Sequence, residues 1–66
     1  MFSVENKRIY YEKLEEKLES IMEGNFVRIE SYEVEDVMFE LRERYNIRIV
    51  RMKMNDFNEL IISLAH

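Results

Sequence analysis

The sequence predicts a single α+β domain over residues 1–66, with the element order α-β-α-β-β. Two segments repeat apolar residues at the spacing of a helix, and three shorter segments alternate them as strands do. A chain of this length forms one hydrophobic core at most. We therefore expect two helices on one face of a three-stranded mixed sheet.

The first predicted helix covers residues 4–23. Leu14, Leu18 and Ile21 fall within one arc at about 3.6 residues per turn, so they predict the side that packs on the sheet. Gly24, the one glycine of the chain, follows directly. It suits the position just after a helix, where a left-handed residue closes the last turn.

A short strand and a second helix are predicted next. Charged and apolar residues alternate over residues 26–30, which places Phe26 and Arg28 on one face of a strand. The second helix covers residues 32–45, because apolar residues recur there at helical spacing. These residues are Val34, Val37, Met38, Leu41 and Tyr45.

The second predicted strand, residues 47–54, changes the face that carries its apolar side chains. The apolar residues have odd numbers up to Ile49 and even numbers from Val50 onward. A bulge between these two residues would bring both sets to one face. It would also gather three basic residues on the other face: Arg48, Arg51 and Lys53.

The last segment, residues 57–65, fits both a strand and a helix. Leu60, Ile62 and Leu64 alternate as in a strand, yet the same segment also has helical spacing. We predict a strand, reached by a hairpin through residues 55–58, because a two-stranded sheet would be marginal. This strand is the most apolar, so we place it in the centre, with the charged second strand at an edge.

The composition argues against catalysis. The chain has no Cys, and its one histidine, His66, is the last residue, so no Ser–His–Asp or Cys–His set is expected. A glycine-rich phosphate loop is excluded with one glycine. We therefore expect a non-enzymatic protein without a cofactor or a metal ion. No segment resembles a signal peptide or a membrane span, so we expect a cytoplasmic protein.

An acidic stripe on the first helix is the first candidate site. With a net charge of −4, the chain suits a basic protein surface better than nucleic acid. Tyr32 and Phe39, about two helical turns apart, lie opposite the apolar side of the second helix and predict a contact surface. The alternative interpretation is a solvated helix face. The predicted protein-binding residues are Glu12, Glu16, Glu19, Glu23, Tyr32 and Phe39.

Two further hypotheses remain open. Basic residues with Phe26 on an uncovered sheet face are typical of surfaces that hold phosphates and stack bases. The nucleic-acid-binding residues would be Arg28, Arg48, Arg51 and Lys53. Alternatively, these cations only protect an edge strand from aggregation. Finally, a core this small often needs a partner, so the protein could be a structural subunit of a homo-oligomer.

Overall fold

The computed structural model describes residues 4–65 and confirms the α+β class and the element order. A 3₁₀ turn precedes the second helix, which therefore begins two residues later than predicted. The elements are α1 (Val4–Met22), β1 (Val27–Ile29), the 3₁₀ turn (Ser31–Glu33), α2 (Val34–Tyr45), β2 (Val50–Met54) and β3 (Leu60–Leu64).

The strand order is β1-β3-β2, so the most apolar strand lies in the centre as predicted. The predicted mixed sheet is wrong, because both pairings are antiparallel. The hairpin reverses β3 relative to β2, while the crossover through α2 keeps β1 and β2 in the same direction. Since β1 and β2 lie at opposite edges, their parallel relation produces no pairing.

The first helix ends as its sequence predicts. Gly24 has a φ of +92°, and its N–H donates to the carbonyl of Ile21. The N–H of Asn25 donates to the carbonyl of Ser20. These two hydrogen bonds form a Schellman motif, which satisfies carbonyls that the helix end would otherwise leave unpaired.

The predicted bulge in the second strand is wrong, because the strand begins only at Val50. Asn46 ends α2 in a left-handed conformation with a φ of 56°, and residues 47–49 form an irregular connection. The change from odd-numbered to even-numbered apolar residues therefore marks the start of the strand. Arg48 lies in the connection and outside the sheet.

The ambiguous last segment is a strand, and the predicted hairpin is confirmed. The Asn55 N–H donates to the carbonyl of Glu59, and the Asn58 N–H donates to the carbonyl of Asn55. Asn58 is left-handed, with a φ of 60°. This pattern is a three-residue loop built on a type I turn, in which Asn58 takes the position that glycine usually occupies.

One core joins both helices to the same face of the sheet. Ile62, in the centre of β3, is fully buried against residues from both helices. The buried cluster consists of Leu14, Leu18, Ile21, Ile29, Val37, Leu41 and Ile62. Among residues 4–65 no helix covers the opposite face of the sheet, and most of its side chains are exposed.

Candidate functional site

Four predicted glutamates lie along α1 and directly after it, and all are exposed. They are here called the acidic stripe (Glu12, Glu16, Glu19 and Glu23). Arg8 approaches Glu12 at 3.9 Å, and the Asn25 amide donates to Glu23 at 3.5 Å. Within the described part of the chain, no Lys or Arg nitrogen lies within 4.0 Å of Glu16 or Glu19. The stripe therefore carries negative charge that neighbouring cations compensate poorly.

Several carboxylates elsewhere in the molecule have cations close to them. Arg44 donates to Glu15 at 2.6 Å, and this hydrogen bond holds the pKa of Glu15 below its ordinary value. Arg44 also pairs with Glu40. Arg28 lies 3.0 Å from Glu30 and 3.4 Å from Glu59. In contrast to these pairs, Glu16 and Glu19 have no cation within 4.0 Å among the described residues.

Tyr32 and Phe39 are exposed, at 72% and 53% of their surface, so α1 does not cover them. They line two separate grooves with no lining residue in common. Tyr32 lies beside Lys13 and Lys17, whereas Phe39 lies beside Arg42, whose guanidinium is 5.8 Å from the ring centroid. Tyr32 and Phe39 therefore lie in different grooves.

The uncovered side of the sheet, here called the open sheet face, carries two rows of side chains. Arg28, Ile61 and Lys53 lie level with one another across the three strands. Arg51 is paired with Ser63, and continuing the β1 register places Phe26 in the same row. The open sheet face consists of Phe26, Arg28, Arg51, Lys53, Ile61 and Ser63.

A shallow groove of about 380 Å³ runs along this face. The Lys53 ammonium lies 5.8 Å from the centroid of the Phe26 ring, at cation–π distance. Ser63 is buried below the longer side chains of the groove, although no helix covers this face. The groove therefore offers two cations and one aromatic ring around a small polar floor.

The structure separates the residues predicted to bind nucleic acid. Arg51 and Lys53 share the open sheet face, but the placement of Arg48 on that face is wrong, because Arg48 lies in the groove with Phe39. Arg28 is on the face, yet Glu30 and Glu59 pair with it. Of the four cations predicted to bind nucleic acid, Arg51 and Lys53 thus remain available on the open sheet face.

Sequence reasoning missed a buried ion pair. Glu33 is 5% exposed and accepts hydrogen bonds from Lys17 Nζ at 2.7 and 2.8 Å. The Glu30 N–H donates to the same carboxylate at 2.8 Å. The three-residue spacing of Glu30 and Glu33 is the signal that could have located this carboxylate at the start of a helix. The pair ties α1 to the 3₁₀ turn.

A tyrosine near this pair makes a second tie between the helices. The Tyr10 hydroxyl donates to Asp36 Oδ2 at 2.7 Å. Burial, followed by this hydrogen bond, raises the pKa of Tyr10 above its ordinary value, because both favour the neutral phenol. Tyr10 therefore holds the first turns of α2 against α1.

Residues 4–65 contain neither a candidate metal site nor a candidate membrane-spanning helix. Among them, no group of three His, Asp or Glu side chains has an arrangement that could hold a metal ion. Neither helix in that range combines the length and apolar content that a bilayer crossing requires. Compared with models of known families, with characterised proteins and with solved structures, the chain matches none.

Proposed function

We propose that the protein is a non-enzymatic interaction module that binds a basic surface of another protein through the acidic stripe. The observation that carries this proposal is the absence of a cation within 4.0 Å of Glu16 or Glu19, within the described residues, while most other exposed glutamates are paired. We also propose that the protein acts in the cytoplasm. Fractionation of the source cells tests this location.

The energetics of the isolated helix support a partner. Like charges four residues apart, as in Glu12–Glu16 and Glu19–Glu23, cost about 0.2–0.5 kcal/mol each. Negative charge in the last turn of a helix is also unfavourable. A cationic partner would relieve both effects, and its approach would be accelerated by the unshielded charge.

The orientation of the charged surfaces favours a different protein over a second copy. The acidic stripe lies opposite the side of α1 that buries Leu14, Leu18 and Ile21. The open sheet face points away from the helices. If the cations of one copy bound the acidic stripe of another, each copy would use two different surfaces. Such head-to-tail contacts produce open filaments, unless the rotation between neighbouring copies closes a ring.

Charge reversal tests the proposal. We expect Glu16→Lys combined with Glu19→Lys to abolish capture of a protein partner from nuclease-treated source lysate. Glu43→Lys with Asp56→Lys is the matched control, because both residues are exposed and the change in net charge is equal. Equal capture by the two variants would contradict the proposal, provided that circular dichroism shows both folded.

Nucleic-acid binding is the second candidate, because Arg51, Lys53 and Phe26 lie together on the open sheet face. With few unpaired cations, the expected salt dependence is shallow. A band shift at low salt that Arg51→Glu with Lys53→Glu removes would favour this function. Light scattering over a range of concentrations tests the third hypothesis, a homo-oligomeric subunit.

A further inference from the structure

β2 is an edge strand, and no strand of the described residues pairs with its outer side. The Asn55 N–H donates to the Glu59 carbonyl, so these two residues form a hydrogen-bonded pair. Along an antiparallel ladder, hydrogen-bonded and non-hydrogen-bonded pairs alternate. Lys53–Ile61 and Arg51–Ser63 are then hydrogen-bonded pairs. The N–H and C=O groups of Val50, Met52 and Met54 consequently point to the free edge.

The two faces of β2 differ sharply in chemistry. Met52 and Met54, on the helix side, remain 38% and 57% exposed because the core ends before this edge. Arg51 and Lys53 lie on the open sheet face, and no carboxylate of the described residues lies within 4.0 Å of either cation. An added strand would meet a flexible apolar surface on one side and two cations on the other.

The charges select the kind of strand that can be added. A second copy paired antiparallel about Met52 would place Arg51 opposite the Lys53 of its partner, and directly opposed like charges are destabilising. A strand with acidic residues opposite Arg51 and Lys53 would instead form stabilising pairs of opposite charge. Backbone hydrogen bonds would supply the affinity and the alternate side chains the specificity.

We propose that β2 binds an extended acidic segment of another protein by strand addition. In this segment apolar residues alternate with Glu or Asp, so that the apolar side chains contact Met52 and Met54 and the carboxylates contact Arg51 and Lys53. This site lies on a different surface from the acidic stripe and goes beyond the function proposed above.

A synthetic peptide provides the probe. Its central part alternates Val and Glu over the length of β2, which has five residues, and Gly-Ser segments at both ends keep it soluble. We expect saturable binding in a fluorescence anisotropy titration. The amide protons of Val50, Met52 and Met54 should become protected from hydrogen exchange. A peptide of the same composition with the Val and Glu residues in separate blocks should not bind.

Two protein variants test the geometry. Arg51→Glu with Lys53→Glu should weaken binding of the Val-Glu peptide by about tenfold or more and create binding of a Val-Lys peptide. Lys13→Glu with Arg48→Glu is the matched control for charge, since both residues are exposed and lie outside the sheet and the change in net charge is equal. Met52→Pro removes an outward N–H at an edge, where proline is tolerated, and should abolish binding.

The outcomes separate this site from the acidic stripe. If Glu16→Lys with Glu19→Lys leaves peptide binding unchanged, the β2 site acts independently, as proposed. If the blocked peptide binds as well as the alternating one, or the Arg51 and Lys53 reversal has no effect, strand addition is overturned. Peptide that protects amides of β1 instead of β2 also overturns it.

Discussion

At the residue scale, Glu33 shows how much one side chain can decide. It is the one carboxylate among the described residues that folding buries, and Lys17 and a backbone N–H satisfy its oxygens. A buried charge pair is weak evidence for added stability, because desolvation offsets much of the attraction. Removing one partner is different, since it leaves an uncompensated buried charge.

We expect Lys17→Met to lower the free energy of unfolding by about 2 kcal/mol, because Glu33 would then remain buried without its cation. Urea denaturation followed by circular dichroism measures this loss. Lys13→Met is the matched control: Lys13 is exposed in the same groove, so its loss should change stability by less than about 0.5 kcal/mol. Equal losses would show that the ion pair has no special role.

At the scale of the element, helix ends and the hairpin loop use left-handed residues. Gly24 closes α1, Asn46 closes α2 and Asn58 completes the hairpin loop. The glycine was recognisable in the sequence because glycine favours this conformation at no steric cost. The two asparagines were less visible, since asparagine tolerates the same region but also occurs in many other settings.

Gly24→Ala should lower the free energy of unfolding by about 1 kcal/mol, because alanine is strained at a φ of +92°. Nothing lies within 4 Å of an added Cβ, so the cost comes from the backbone alone. Asn46→Gly, at the corresponding end of α2, should change stability by no more than about 0.5 kcal/mol. Thermal unfolding compares the two; an unaffected Gly24→Ala would contradict the assignment of strain.

At the scale of the whole molecule, a thin two-layer domain leaves little interior. Its extents are 38 × 30 × 17 Å, and helices cover one side of the sheet. A core of this size rarely supplies more than about 3–5 kcal/mol of net stability. The uncovered edge at Met52 and Met54 and the open sheet face follow from this shortage of covering elements.

Ile62→Ala should therefore unfold most of the molecules at room temperature. Removing a fully buried isoleucine costs about 2–5 kcal/mol, which is comparable with the total stability. Ile49→Ala is the matched control, because Ile49 is 75% exposed and its truncation should change little. The amide NMR spectrum distinguishes folded from unfolded protein, and a dispersed spectrum of Ile62→Ala would refute this view of the core.

The sequence by itself determined the type and order of the first four elements, the end of α1 at Gly24 and, once the last segment is taken as a strand, the central place of β3. Each depends on local periodicity or on the concentration of apolar residues, which sequence displays directly. The acidic stripe was also visible, because its spacing is set within one helix. Tertiary structure alone decided which charges are paired, since Arg44 reaches Glu15 and Lys17 reaches Glu33 only after the helices pack.

The same distinction explains why the placement of Arg48 was wrong and why the separate grooves at Tyr32 and Phe39 were not predicted. Whether Arg48 shares a face with Arg51 depends on where β2 begins, and pairing with β3 sets that point. The grooves that separate Tyr32 from Phe39 are formed by residues from different elements. Contacts between distant parts of the chain carry no periodic signal, because they depend on the angle and distance at which elements pack.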